Sequence, residues 1–353
     1  MRAQALGLAL LLIAAIVFPL VFSNPFITTI ACYTVIYAAA ATSWNIFSGY
    51  TGYTSLGHAA FFGTGGYALA LMCLYWHIPG GYIPFLLLPL CGLIAAVVAL
   101  PVGAIALRVR SHTFVVITIA IFFIFQLMAA NLRPITGGRD GLPLPFAPWN
   151  GYVFNLPFIY VGLCIVVLAF AASWFVRHSK YGLGLLAIRD DEDRARGLGV
   201  RTGAFKLTAF VLSAFFVGMA GGLLAYFNED IRPEFAFNAL DSVGFALMAI
   251  LGGAGTLGGP LLGALIAEPV RLYAPSLETL LPGQPGGLDI IIYGAIFLIV
   301  VLLLPEGIIP TVRKRWITWR ESGLARPSAP STALASGNAD APPAAMGHKG
   351  AEL

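Results

Sequence analysis

Apolar runs long enough to cross about 30 Å of hydrocarbon, roughly 20 residues each, repeat along almost the whole chain. They lie at 5–22, 26–47, 57–76, 83–107, 112–130, 157–176, 205–227, 239–256, 257–273 and 288–304. No strand-length alternation accompanies them, and only helices or closed barrels satisfy their backbone in lipid. The pattern therefore predicts an all-α, polytopic integral membrane protein with about ten transmembrane helices. Nine is the alternative, because Gly252, Gly253, Gly255, Gly258 and Gly259 interrupt the stretch from 239 to 273.

Composition agrees. Hydrophobic residues make up 59% of the chain and charged ones only 10%, whereas a soluble domain is about a quarter charged. The first run is too long for a signal-peptide core and lacks a small-residue cleavage site, so it reads as a retained helix. Cys32, Cys73, Cys91 and Cys164 lie inside apolar runs without paired spacing and read as small hydrophobes.

The scarce charge is concentrated. Between Arg177 and Lys206 stand seven basic and four acidic residues, a docking surface for a water-soluble partner or a solvated loop. With the N-terminus inside, the cytoplasmic side would hold Arg2, Arg108, Arg110, that island, Arg313, Lys314, Arg315, Arg320, Arg326 and Lys349. Only Arg133, Arg139, Arg232 and Arg271 would lie outside, so both termini and the island are expected in the cytoplasm. The net charge of +4 is this bias and calls for no nucleic acid. Within the island LLAIRDDEDRAR has helical composition after a flexible stretch at Tyr181–Gly184, and Gly197 and Gly199 supply stop signals. Leu185, Leu186 and Ile188 with the alanines would form an apolar ridge for a groove on a partner.

Residues 1–312 thus form a transmembrane domain with a cytoplasmic loop at 177–206. Residues 313–353 form a second region: RKRWITWR is an interfacial anchor, followed by a disordered cytoplasmic tail rich in Ala, Pro, Ser and Gly.

Catalytic and cofactor signatures are missing: no H-E-x-x-H, G-x-S-x-G, Cys/His metal cluster or phosphate-loop lysine occurs. The chain reads as a non-enzyme holding no cofactor or metal. Two glycine-rich breaks stand out, SGYTGYTSLGHAAFFGTGGYA at 48–68 and ILGGAGTLGGPLLGA at 250–264. Such breaks either let helices pack closely or unwind beside a substrate route. Glu268 and Arg271, at i and i+3, are the close opposite pair within a span. They would be the starting point for a stand-alone secondary transporter, and a packing pair is the milder explanation.

Four stretches resemble, in order, the permeases of branched-chain amino-acid ABC importers, with the M-type subunit of the pair the better match. They are WNIFSGYTGYTSLGHAAFFGTGGYA (44–68), ITGGRDGL (135–142), YGLGLLAIRDDEDRARGLGVRTGAFKLTAFVLSAFFVGMAGGLLAYF (181–227) and ILGGAGTLGGPLLGA (250–264). The resemblance covers roughly residues 26–310 and implies the ABC importer permease fold in a bacterial inner membrane. Its implied partners are two cytoplasmic ATP-binding subunits, a second homologous permease, a periplasmic solute-binding protein and membrane lipid; ATP and magnesium would sit on the partners.

By the same resemblance Gly184, Ala187, Ile188, Arg189, Asp190 and Gly199 fall where the family's loop contacts the ATPase. The family often carries a basic residue where this chain has Leu183-Gly184-Leu185-Leu186. Asn45, Ser55 and His58 match polar positions at the first break, lining a translocation route or bonding a neighbouring helix. Gly137, Gly138 and Asp140 belong to an external loop, where Asp140 would meet a binding protein or close an Asx-turn. The implied activity is inward transport of apolar amino acids by alternating access. The same machinery importing urea, amides, aromatic acids or another small solute is the alternative.

Overall fold

The computed structural model describes residues 15–22, 24–150, 152–278, 294–295, 298, 302, 307–312 and 314–315. The run at 288–304 and the segments 313–320 and 321–353 fall largely or wholly outside these residues, as does most of the run at 5–22. The chain divides into two units, Met1–Val312 and Arg313–Leu353.

Helix α1 (Pro25–Trp44) starts where proline is tolerated, and the Asn24 side chain accepts from Phe26 N at 3.0 Å. It runs on as a π turn, Asn45–Gly49. Then come α2 (His58–Tyr75), α3 (Leu88–Ala106), α4 (Ser111–Asn131) and α5 (Tyr152–His178). Two short helices follow, α6 (Lys180–Asp190) and α7 (Glu192–Gly197). The rest are α8 (Thr202–Asn228), α9 (Ala239–Gly252) and α10 (Gly259–Glu278).

Six helices among the described residues are long and apolar enough to cross a membrane: Pro25–Gly49, Leu88–Ala106, His112–Asn131, Val153–His178, Thr202–Asn228 and Pro233–Gly252. The stretch from 239 to 273 is two helices with a glycine-rich loop between them. The charged loop is shorter than 177–206: Arg177 and His178 close α5, and Thr202 to Lys206 open α8.

Helix α8 is the centre of the bundle, packing on α1, α2, α3 and α5. Its contact with α2 is backbone-close: a Cβ on Gly65 would run into the Gly218 carbonyl, and one on Gly221 into that of Phe62. Small residues are how helices gain van der Waals contact where lipid supplies no hydrophobic drive. Cys32, Cys73 and Cys91 are buried and Cys164 is exposed.

One feature departs from the all-helical expectation. Leu142–Pro143 pairs antiparallel with Asp230–Ile231. This ribbon ties the 131–150 loop to the end of α8, where Glu229 receives Leu144 N on its carbonyl (3.0 Å) and Ala147 N on its carboxylate (2.9 Å). In that loop Gly137 and Gly138 turn the chain with φ of 72° and 66°. Asp140 bonds Arg133 at 3.1 Å, both side chains mostly exposed.

Candidate functional site: a charged elbow joined to two glycine-rich breaks

The charged loop folds as an elbow of two helices, not one. Ser179 caps α6, its hydroxyl accepting from Gly182 N at 3.2 Å, so the expected flexible stretch is already helical. Asp191 leaves helical geometry (φ −162°, ψ 108°), ends α6 and caps α7 by accepting from Arg194 N at 3.0 Å. Glu192 and Asp193 then sit in the first turn of α7, where the helix dipole favours acids.

The apolar ridge faces the protein's own core. Leu185, Ile188 and Ala195 are buried, and Gly184 lies against the Phe205 ring of α8. What the elbow shows to solvent includes Arg189, Asp190, Asp193, Arg194, Arg196, Gly197 and Gly199, with two large apolar side chains, Leu183 (65% exposed) and Leu198 (84%). Amphipathic patterning announces a buried face without saying what buries it. Here α8 does.

A buried latch holds the elbow. Lys206, 3% exposed in the first turn of α8, donates to Glu192 at 2.8 Å and to the Tyr53 hydroxyl at 3.2 Å, with its ammonium 4.3 Å from the Tyr53 ring centre. Tyr53 also donates to Glu192, and Arg196 reaches the same carboxylate at 3.2 Å. Burial alone would raise the Glu192 carboxyl, but the hydrogen bonds from Lys206 and Tyr53 outweigh it and hold the group below its ordinary value. Burial, then the bond to Glu192, pushes the Tyr53 phenol upward. Beside the latch opens a cleft of about 680 Å³, lined by both signs of charge, including Arg108, Arg110, Asp190 and Asp193.

Both glycine-rich breaks meet behind this elbow. In the first, the π turn ends at Gly49 and the chain unwinds before α2. In the second, Gly253 and Gly255 take φ of 118° and 79°, which L side chains rarely adopt, and Thr256 leads into α10 by accepting from Gly259 N at 3.0 Å. Asn45 staples break to break: its amide nitrogen donates to Thr256 O at 2.9 Å and its oxygen accepts from Gly255 N at 2.7 Å. Two arginines then reach the breaks, Arg189 from α6 of the elbow and Arg177 from the adjoining end of α5. Arg189 donates to Gly49 O at 2.8 Å, and Arg177 donates to Gly255 O. Guanidinium bonds to backbone carbonyls are rigid, charge-assisted couplings.

Of the residues singled out at the first break, Asn45 is thus a bridge between helices. His58 and Ser55 are enclosed. His58 Nδ1 lies 2.8 Å from Ser55 Oγ and Nε2 lies 2.8 Å from Ser213 Oγ, with Phe47, Phe61 and Phe210 around the ring. Ser213 spends its hydroxyl hydrogen on Ser43 O at 2.7 Å, so it must accept from His58. That makes His58 the Nε2–H tautomer, with Nδ1 accepting from Ser55. Asp140 lies in the 131–150 loop, on residues separate from the elbow.

Sequence reasoning passed over Tyr53, Arg177 and Lys206. A signal existed for Lys206, a cation inside the first turn of an apolar helix, four acidic residues having just gone by. Among the described residues no group of three His, Cys, Asp or Glu could hold a metal.

Comparison with known proteins agrees with the four motifs. A family model described as the permease component of branched-chain amino acid transport systems matches residues 26–301. The high-affinity branched-chain amino acid transport system permease protein LivM of Escherichia coli K12 is 27% identical over 336 residues, 88% of this chain and 76% of that protein. A probable branched-chain amino acid transport permease protein LivM of Methanocaldococcus jannaschii is 24% identical across 78% of this chain and 90% of its own. A ribose import permease protein RbsC of Haemophilus influenzae is 25% identical over 52% of this chain and 58% of its own. No solved structure matches.

Proposed function

Because this chain belongs to the permease-component family of branched-chain amino acid transport systems, we propose that it is the membrane-spanning subunit of an ATP-driven importer for branched-chain, apolar amino acids. It makes no covalent change in its cargo. It works with two cytoplasmic ATP-binding subunits, a second related permease and a periplasmic solute-binding protein in a bacterial inner membrane. It crosses that membrane ten times with both termini in the cytoplasm. Residues 1–312 carry transport, and the remainder is an interfacial segment and tail.

The observation that carries the mechanism is the grip of Arg177 and Arg189 on the two glycine-rich breaks. An ATPase closing on the exposed face of the elbow pushes a body that is latched to α8 through Lys206 and bonded through Arg189 to the carbonyl of Gly49. That body lies beside the end of α5, whose Arg177 holds the carbonyl of Gly255. The push therefore arrives where α1 and α9 are interrupted. Interrupted helices are the places where a bundle rearranges without breaking its regular hydrogen bonds. Arg189 acts inward, on the breaks, while Leu198, Asp190 and Gly199 meet the ATPase.

Co-expression with a candidate ATPase subunit tests this. Leu198→Asp should cut co-purification about tenfold, a loss of about 1.4 kcal/mol, with membrane insertion unchanged. Full uptake by the chain alone, driven by an ion gradient, would sink the reading. The ribose-permease relative favours one second reading, the same machinery with another small solute. Uptake of labelled leucine against labelled ribose by the complete complex separates the two.

A further inference from the structure

Four polar side chains that this mechanism leaves idle meet between α1, α9 and α10. Arg271 donates to Asp241 at 2.9 Å and, through a second nitrogen, to Oε1 of Glu268 at 2.6 Å. Tyr37 donates to the same Asp241 oxygen at 2.7 Å, and the guanidinium lies 4.2 Å from the Tyr37 ring centre. Glu268 is 0% exposed, and its other oxygen, Oε2, is buried with no hydrogen-bond partner.

The charges do not balance. Two carboxylates face one guanidinium, and α10 packs on α1 and α9. The titratable groups those helices bring near are Cys32, Tyr33 and Tyr37 on α1, Asp241 on α9 and Arg271 on α10. Among the described residues none of these but Arg271 is a cation. With both acids ionised, a buried surplus of one negative charge would end on an oxygen that receives no donor, a cost of several kcal/mol.

Three things could neutralise it. A side chain of a partner subunit cannot reach Oε2, which this chain alone already encloses. A metal cation needs several oxygen ligands, and among the described residues no group of three His, Cys, Asp or Glu could hold one. A proton needs neither access for a side chain nor a coordination shell. It leaves one unsatisfied O–H, which is less costly than an unpaired buried charge.

We propose that Glu268 is a proton-binding site: Oε2 holds one proton in this conformation, leaving Asp241 alone ionised against Arg271 and the cluster neutral. Release of that proton places a second charge between α9 and α10 without a second cation, so the contact between these helices is linked to proton occupancy. Ionisable groups at membrane depth are rare enough that such a site is a functional candidate by default.

Difference infrared spectroscopy of the purified full chain tests this, with the proton itself as probe. At neutral pH the C=O stretch of a buried protonated carboxyl should be present, and Glu268→Gln should abolish it. Absence of the band, its survival in Glu268→Gln, or its removal by sodium at constant pH would each overturn the proposal. If Glu268→Gln fails to insert, Asp241→Asn carries the test. It frees Arg271 for Glu268, so proton affinity should fall by about tenfold or more; an unchanged titration refutes the site.

Discussion

The elbow latch and the buried cluster are built from the same kinds of side chain and differ in their balance of acid and base. Glu192, Lys206 and Tyr53 set one acid against one base and a phenol, and Arg196 adds cover from outside. Asp241, Glu268, Arg271 and Tyr37 set two acids against one base and a phenol. In the first, every carboxylate oxygen has a donor; in the second, Glu268 Oε2 has none. A balanced buried pair fixes geometry, whereas an unbalanced one needs something from outside the protein. On the proposed mechanism the latch is a joint in the transmission, while the cluster is a place where occupancy can change.

The largest break in this comparison is Lys206→Met. It keeps most of the volume and removes the charge, leaving Glu192 desolvated with only Tyr53 and the exposed Arg196. Removing one partner of a buried pair costs about 3–5 kcal/mol; because Arg196 remains, the lower end is expected. Melting in detergent should drop, and protease should cut between Ser179 and Arg201 faster than in the parent. An unchanged cleavage rate would show that the elbow is held by its apolar face alone.

A smaller effect sharpens the contrast through its sign. Glu192→Gln surrenders charge-assisted hydrogen bonds, each worth about 1.5–3 kcal/mol, and should destabilise. Glu268→Gln mimics the protonated carboxyl and should leave stability within about 1 kcal/mol of the parent. Equal losses in thermal melting would erase the distinction between the two sites.

How much of this was legible in the sequence depends on the range of the interaction. Spans such as Leu88–Ala106 and Thr202–Asn228 were readable because length and apolarity are local properties. The run at 239–273 was ambiguous because glycines permit either a packed helix or a break; the positive φ at Gly253 and Gly255 decides for the break. The elbow's helices were visible in LLAIRDDEDRAR, but the corner was not, since every residue there tolerates a helix. Asp191 followed by two acids is a capping signature that continuous helical composition masked. The apolar ridge was identified and its partner mistaken, because pattern names a face and not its neighbour. Least legible were the couplings themselves. Asn45 meets Gly255 across 210 residues and Tyr53 meets Glu192 across 139, distances over which no periodicity speaks.

The smallest expected effect is the response to acid, and it too divides the two sites. Glu192 is held below its ordinary value in the folded chain. A carboxyl lowered on folding adds stability that is present above its unfolded value, about 4.3, and is lost as pH falls through the lower folded value. Protease sensitivity of the elbow should therefore stay flat from neutral pH down to about 4.3 and rise only below it. Protonated Glu192 would still accept from Lys206, so release should be partial and weaker than in Lys206→Met. At the α9–α10 contact Glu268 adds nothing to this transition, because it already holds the proton; only the Asp241–Arg271 pair remains there to respond to acid. Hydrogen exchange of α7 and α10 across the same range checks both halves at once. A change in the α10 profile on Glu268→Gln across this acid range would mean that Glu268 does not already hold the proton, and the contrast with Glu192 would fall.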